Sequence, residues 1–281
     1  MIQFAWTMSK IIAKSPLRYP GGKTKLIKEI SRLAPISYKE YREPFLGGGS
    51  YLLHVCQTQP TTVIKKASDK FYLLCNFWQH VQCCPDALID EINKQKIECK
   101  VGPKLYITSA NILKKQDNTD ILKKAAAYFI QNRITFSGLG LAGGYSQASY
   151  DGRFKDNHIQ NIKNVSKVLS NAQIICDSYE ELLLKQDGED VFIFLDAPYD
   201  IKSDNLYGDR GSMHKGFDHV KFAEDCKLSK HKLLITYNDN EKIRELFKES
   251  DGFVINEVTV GYSMGDGKNK KKIELFITKN Y

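Results

Sequence analysis

The sequence has few of the features that mark secreted, membrane-spanning or metal-binding proteins. Its seven cysteines are an odd number without paired metal-ligand spacing, and its six histidines form no ligand cluster. Such cysteines are typical of free thiols packed as small apolar groups in a reducing compartment. Residues 134–150 carry no charge but are rich in glycine and serine, which excludes a membrane span there. We therefore expect a cytoplasmic protein with no membrane segment and no metal site.

The chain has an excess of positive charge. It contains 41 lysines and arginines against 33 acidic residues, a formal net charge of +8 over 281 residues. Basic side chains gain affinity for phosphates by releasing counterions, so the balance favours a polyanionic partner. Many basic proteins never bind nucleic acid, however, so the charge needs support from a motif. The length allows one large domain or a core domain with a smaller companion.

An apolar run near residue 195 predicts the central strand of a parallel sheet. Residues 191–195 are all apolar, which is typical of a strand buried on both faces. The residues that follow are Asp196, Ala197, Pro198 and Tyr199. Ligands of open α/β sheets bind just past the carboxyl ends of the strands. A carboxylate and a rigidly held aromatic ring at that place suit a flat, hydrogen-bonding substrate such as a nucleobase.

A glycine pair opens the first helical pattern. Gly21, Gly22 and Lys23 follow Tyr19 and precede residues with apolar side chains at helical spacing. Free backbone N–H groups and the lysine charge together predict an anion site. The turn ends like a nucleotide-triphosphatase loop, but Leu17 stands where that motif needs its first glycine. An ordinary turn before a surface helix is the alternative.

A second glycine turn follows a short predicted strand and precedes a helix. Its residues are Glu43, Pro44, Phe45, Gly47, Gly48 and Gly49. Glycines allow a ligand to approach the backbone closely, and the preceding acid favours hydroxyls or an ammonium group over phosphate. Asp69 ends the next predicted strand, 20 residues beyond Gly49, where dinucleotide folds hold ribose hydroxyls. A helix N-cap is the alternative role for Asp69, and the two roles are compatible.

The middle of the chain changes character. Helical patterns at 86–96 and 121–131 lie around a glycine-rich segment, 136–154, which we expect to be a long functional loop or a flexible tether. A polar loop also follows Tyr199. Side chains suited to contacting bases and phosphates in these regions are Arg133, Tyr145, Ser146, Gln147, Arg153, Lys202, Arg210 and Lys215.

The remaining patterns complete the predicted sheet. A helix at 157–170 leads into a strand at 172–177 that ends in Asp177, the third strand to end in an acid. A strand at 233–237 and two alternating strands at 253–260 and 273–278 follow, the last two joined as a hairpin.

The motifs in this order resemble the Dam-like class of DNA adenine-N6 methyltransferases. The likeness covers nearly the whole chain and lies in the Tyr-Pro-Gly-Gly-Lys turn, the Glu-Pro-Phe-Leu-Gly-Gly-Gly turn, Asp69 and the Asp-Ala-Pro-Tyr loop. The resemblance implies a Rossmann-like methyltransferase sheet with a C-terminal antiparallel hairpin and a small, mainly helical target-recognition domain. The catalytic domain would comprise 1–84 and 168–281, and the recognition insert 85–167.

The resemblance also implies the roles of the site residues. S-adenosylmethionine would be the cofactor, with its methionine part at Tyr19 and Lys23, its backbone along the 45–49 turn and its ribose at Asp69. Asp177 would lie near its adenine, a looser correspondence. Residues 196–199 would form the catalytic loop acting on duplex DNA. The resemblance also allows a cognate restriction endonuclease that acts separately. An enzyme that modifies one strand at a time can act as a monomer, so we expect a monomer.

Ala197 departs from the family pattern, which normally has proline there. Only the backbone carbonyl of residue 197 is needed as an acceptor, and alanine has one. Proline would add stiffness, so a less rigid loop with lower turnover is one expectation. The alternatives are an N4-cytosine methyltransferase, which usually carries serine in place of Asp196, and a catalytically weak DNA-binding relative.

Overall fold

The computed structural model describes residues 13–19, 21–115, 120–200, 216–263 and 269–281. They form a mixed α/β fold around one seven-stranded sheet with the order β3-β2-β1-β4-β5-β7-β6. The strands are β1 (Glu40–Glu43), β2 (Ile64–Asp69), β3 (Ala172–Cys176), β4 (Val191–Leu195), β5 (Lys232–Asn238), β6 (Phe253–Ser263) and β7 (Asn269–Lys279).

Five neighbouring strands are parallel, and the last two form an antiparallel hairpin. β4 pairs with β1 on one side and with β5 on the other, up to the pair Leu195 and Ile235. β7 runs antiparallel to both β5 and β6. Every residue of β4 is buried, as its unbroken apolar run predicts. The predicted Rossmann-like sheet with its C-terminal hairpin is confirmed.

Helices cover the sheet and fill the middle of the chain. They are α1 (Ile27–Leu33), α2 (Ser50–Thr58), α3 (Tyr72–Cys83), α4 (Pro85–Cys99), α5 (Gly102–Lys114), α6 (Ile121–Ile134), α7 (Gln147–Arg153), α8 (Asp156–Val168), α9 (Tyr179–Leu183), α10 (His219–Leu228) and α11 (Glu241–Leu246). None of those in the described part of the chain has the length and apolar character needed to cross a membrane.

Two features of the helical middle differ from the sequence expectation. Helix α5 was not predicted, because its opening Gly-Pro suggests a break, whereas proline at the first helical turn loses no hydrogen bond. The segment 136–154 is not one long loop: it contains two short 3₁₀ turns and α7. Ser146 caps α7 by accepting a hydrogen bond from the Ser149 N–H. The high glycine content of the segment does not reveal this cap.

A single hydrophobic cluster joins the helical middle to the sheet. It includes Leu52 of α2, Phe77 of α3, Ile92 of α4, Phe129 of α6 and Ile162 of α8. Phe77 and Phe129 stack with ring centroids 5.8 Å apart. The helices at 85–167 therefore share one hydrophobic core with the sheet. That they form a separate recognition domain remains a prediction.

Candidate active site

A cavity of about 500 Å³ opens at the carboxyl ends of β1, β2 and β4. This volume lies within the range of pockets that hold small-molecule ligands. Both predicted glycine turns and the loop after β4 contribute to its wall. The predicted residues among its lining are Tyr19, Gly22, Lys23, Glu43, Pro44, Phe45, Gly47, Gly48, Gly49, Asp69, Asp196 and Pro198.

The two glycine turns pack directly on each other. A Cβ at Gly47 would lie 2.9 Å from the Tyr19 ring, and one at Gly48 would lie 2.8 Å from the Tyr19 Cβ. Gly47 also has a positive φ of 46°, which disfavours any other residue. The indole N–H of Trp78 donates to the Gly47 carbonyl oxygen at 3.0 Å. The turn is thus fixed from both sides, with Tyr19 as one wall of the cavity.

Asp69 connects the second strand to the second glycine turn. Its carboxylate accepts from the backbone N–H of Gly47 and from that of Phe71, each at 2.9 Å. Burial raises the pKa of Asp69, and these backbone donors oppose the rise. The N-cap residue of α3 is Phe71, with no side-chain cap, so Asp69 precedes the cap position. Its carboxylate orders the turn in addition to facing the cavity.

Glu43 is a buried acid at the base of the cavity. Its side chain is 3% exposed and accepts a hydrogen bond from the Tyr41 hydroxyl. Burial raises the pKa of Glu43 to about 8, against the lowering effect of that hydrogen bond. The nearby charges of Asp196 and Asp69 raise it further. With a pKa of about 8, Glu43 is mostly protonated at neutral pH and can donate as well as accept a hydrogen bond in the cavity.

Asp196 and Lys23 meet at the other end of the cavity. The Lys23 ammonium lies 2.6 Å from Asp196 Oδ1, and the Thr236 hydroxyl donates to the same oxygen at 2.8 Å. The described residues place no hydrogen-bond partner on Oδ2. Sequence reasoning assigned Lys23 to a ligand carboxylate; here the ammonium contacts Asp196 and the Gly21 carbonyl.

Tyr199 is held against the neighbouring strands. Its hydroxyl donates to Glu274 of β7 at 3.0 Å, and the Lys23 ammonium lies 4.8 Å from its ring centroid. Ala197, two residues before it, is 2% exposed and packs within the hydrophobic cluster on the β5 side of the sheet. Residues 197 and 199 are therefore packed against the sheet.

An aromatic wall completes the cavity, and of its members the sequence patterns singled out Phe45 but not Tyr179 or Phe217. Phe45 stacks on Tyr179 with centroids 5.5 Å apart, and Phe217 packs edge-on to Phe45. Tyr179 begins α9 directly after the third acid-ended strand, which is the signal that would have pointed to it. Asp177 itself is exposed, accepts from the adjacent Ser178 N–H and is not among the lining residues.

The predicted DNA-contact residues have different environments. Arg133 is 5% exposed and donates to the carbonyl oxygens of Arg153 and Pro16, so it supports the backbone and offers no surface for DNA. Gln147 bonds to Tyr145 and Asp151 at the surface. Ser146 is occupied as a helix cap. Lys202, Arg210 and Lys215 lie outside the described residues.

Comparisons with known proteins agree with this geometry. The family model of the D12 class N6 adenine-specific DNA methyltransferases matches residues 19–264. The chain belongs to this family. It is 30% identical over 200 residues to the type II methyltransferase M.MjaIII of Methanocaldococcus jannaschii, a match that covers 65% of this chain and 68% of that protein. Its identity to M1.LlaDCHI of Lactococcus lactis subsp. cremoris is 24%, over 97% of each chain. It is also 24% identical to M.CviBI of Paramecium bursaria Chlorella virus NC1A, over 89% of this chain and 91% of that one.

Membership of the D12 class establishes the activity as adenine-specific DNA methylation with S-adenosylmethionine as methyl donor. It also identifies the adenine N6 amino group, and not the cytosine N4 amino group, as the methyl acceptor. The cavity fits this cofactor, which combines a carboxylate, an ammonium, a sulfonium, a ribose and a base. Lys23 supplies a positive charge, Glu43 and Asp69 supply oxygen atoms for hydrogen bonds, and Phe45 and Tyr179 supply an aromatic surface.

Proposed function

We propose that this chain methylates the N6 amino group of an adenine that has been flipped out of duplex DNA. The observation that carries the proposal is the arrangement at Asp196. Lys23 and Thr236 both occupy Oδ1, which leaves Oδ2 as the oxygen for a substrate N–H. Flipping is required because an amino group within the base stack lies out of reach of a cavity of this depth.

The residues at 196–199 supply acceptors and a stacking surface. Asp196 Oδ2 and the backbone carbonyl of Ala197 would accept the two hydrogens of the adenine amine. This pairing favours a pyramidal nitrogen with a localised lone pair, so no strong base is needed. Tyr199 would stack on the flipped ring, a contact that contributes roughly 1–3 kcal/mol. Its hydroxyl bond to Glu274 sets the plane of the ring.

The cofactor would lie along the turns that pack on Tyr19. We assign its backbone to the 45–49 turn, its ribose to Asp69 and its base to the wall formed by Phe45 and Tyr179. When bound, S-adenosylmethionine supplies an activated methyl group. Lys23 lines the cavity beside Asp196, so the cofactor carboxylate would meet its positive charge there.

A group of arginines beside the cavity supports DNA binding on this face. Burial lowers the pKa of Arg18, as does the charge of Arg153. Burial also lowers the pKa of Arg133, to about 10, with Arg18 and Arg153 adding to the effect. Among the described residues, Arg18 and Arg133 donate to backbone carbonyl and serine hydroxyl oxygens, not to carboxylates. Arg133 is buried, whereas Arg153 is exposed and could contact a DNA phosphate, which would offset the repulsion among the three charges.

The direct test is analysis of the modified nucleosides in DNA. Duplex DNA incubated with the purified chain and S-adenosylmethionine is digested to nucleosides and weighed by mass spectrometry. We expect N6-methyladenine. N4-methylcytosine would overturn the choice of base, and unmodified DNA would favour a catalytically weak DNA-binding relative. Mapping the methylated positions in a host genome then gives the recognition sequence.

The assembly and its setting are separate parts of the proposal. We propose that the chain acts as a monomer, because each encounter with DNA modifies one strand. Its relatives carry type II methyltransferase names, which supports a pairing with a separately acting restriction endonuclease. Sedimentation of the chain with and without a DNA duplex tests the first point. Protection of methylated DNA from a nuclease of matching specificity tests the second.

A further inference from the structure

The catalytic loop lacks the residue that would make it stiff. Proline at position 197 would fix its own φ and restrict the preceding residue, whereas alanine does neither. Backbone pairing between β4 and β5 ends at Leu195, so residues 196–200 have no strand ladder to hold them. The described residues accept no hydrogen bond from the Ala197 N–H. Rigidity in this loop must therefore come from somewhere else.

Side chains of residues 236–240 form hydrogen bonds with both ends of the segment 196–200. Thr236 of β5 donates to the carboxylate of Asp196 at 2.8 Å. Four residues later, the carbonyl oxygen of Asp200 accepts from the amide nitrogens of Asn238 at 3.1 Å and Asn240 at 3.4 Å. All three donors belong to the short segment 236–240. The loop is thus bracketed by contacts to one element, on either side of Ala197.

Asn238 is placed at an energetic cost, and Asn240 has a fixed orientation. The side-chain oxygen of Asn238 is buried and has no partner among the described residues, which is unfavourable. Asn240 has its own orientation fixed, because its oxygen caps α11 by accepting from the Ile243 N–H at 2.9 Å. Its nitrogen is therefore already aligned towards Asp200 before any substrate binds.

We propose that Asn238 and Asn240 are positioning residues that hold the catalytic loop in the place of the missing proline. By fixing the Asp200 carbonyl, they hold the far end of the segment 196–200, while Thr236 holds its beginning at Asp196. They therefore set the position of the Ala197 carbonyl, which accepts one of the amine hydrogens in the proposed reaction. This inference rests on the proposed function for its effect on rate, but its effect on the loop can be measured without DNA.

The test is a double-mutant cycle between Asn238→Ala and Ala197→Pro. Losing one hydrogen bond in the alanine background should lower kcat by about tenfold, and the dissociation constant of the cofactor should stay within about twofold. In the Ala197→Pro background, Asn238→Ala should lower kcat by less than about threefold. Equal losses in both backgrounds would overturn the proposal, as would a loss confined to cofactor binding.

Hydrogen exchange gives an answer that does not depend on activity. The amides of residues 196, 197, 199 and 200 should exchange faster in Asn238→Ala than in the parent chain. Unchanged exchange there would overturn the proposal, even if Ala197→Pro failed to fold. A parent chain that methylates no DNA would instead refute the proposed function, since the exchange result stands independently of it.

Asn256→Ala provides the matched control. Asn256 of β6 also donates its side-chain amide to a backbone carbonyl, that of Phe276, at 3.3 Å. It lies in β6, the edge strand of the sheet, which pairs with β7. We expect its loss to leave kcat within twofold and to show no coupling to Ala197→Pro. Coupling of the same size at Asn256 would show that proline compensates for general destabilisation, which overturns the specific role of Asn238.

Discussion

The two ends of the active-site cavity are constructed differently. At the cofactor end, glycine turns pack on Tyr19, and Asp69 accepts from backbone N–H groups, so most of the geometry is fixed by main-chain contacts. At the substrate end, the backbone ladder stops at Leu195, and side chains such as Lys23 and Thr236 orient Asp196. Main-chain contacts tolerate substitution of their neighbours, whereas a side-chain network depends on each member. Single substitutions should therefore have larger effects at the substrate end.

The strongest test of this difference is Asp196→Ala. Removing the only acceptor carboxylate directed to the amine should reduce methylation of DNA by about 10³-fold, comparable to loss of a central electrostatic group in other enzymes. Cofactor affinity, measured by calorimetry, should change far less. The matched control is Asp86→Ala, which removes an exposed carboxylate from α4. Methylation within tenfold of the parent rate would remove the acceptor role from Asp196.

The ring of Tyr199 provides the next largest effect. Tyr199→Ala removes the proposed stacking surface and should reduce kcat/KM by about 5–150-fold, from roughly 1–3 kcal/mol. Tyr199→Phe keeps the ring and loses only the bond to Glu274, so its activity should remain within a few-fold of the parent. Methylation rates of the two variants on the same DNA duplex distinguish a role of the ring from a role of the hydroxyl. Equal losses would assign the function to the hydroxyl instead.

The cofactor end can be examined through the pH dependence of stability. The pKa of Glu43 is about 8 in the folded chain and near 4.5 when it is unfolded. Between these values the folded state keeps a proton that the unfolded state loses, so the free energy of unfolding falls as pH rises. The slope is at most about 1.4 kcal/mol per pH unit, and Glu43 adds none below 4.5 or above about 8.

Glu43→Gln should remove this fall in the free energy of unfolding with rising pH. Denaturant unfolding of the cofactor-free protein at pH 5.5, 7 and 8.5 should give a flatter profile for the variant than for the parent chain. Glu249→Gln, which changes an exposed acid, serves as the control and should follow the parent. Parallel profiles for parent and Glu43→Gln would show that the buried acid is ionised throughout this range.

Sequence reasoning succeeded where one local rule decided the structure. The apolar run of β4 and the glycine turns follow from burial and from backbone geometry, and both were predicted. The burial of Arg133, which is predicted to contact DNA, could not be read from the sequence, because it depends on packing against Pro16, over a hundred residues away. Thr236 carries no local motif and enters the site through the sheet order, whereas the position of Tyr179 after an acid-ended strand was a signal that the motifs did not use.

The smallest expected effect concerns the arginine group beside the cavity. Arg153 is exposed and lies near Arg18 and Arg133 without an acidic partner in the described structure, so we expect it to contact a DNA phosphate. Arg153→Ala should weaken DNA binding a few-fold for all sequences and reduce the slope of log K against log salt by about one. Fluorescence anisotropy at several salt concentrations measures both. The control is Lys39→Ala, an exposed lysine just before the amino end of β1, whereas the cavity lies at the carboxyl ends of the strands. If both variants changed the slope equally, the positive charge would act as a diffuse field over the whole chain. A change at Arg153 alone places the duplex on the side of the cavity where Arg18 leads into Tyr19.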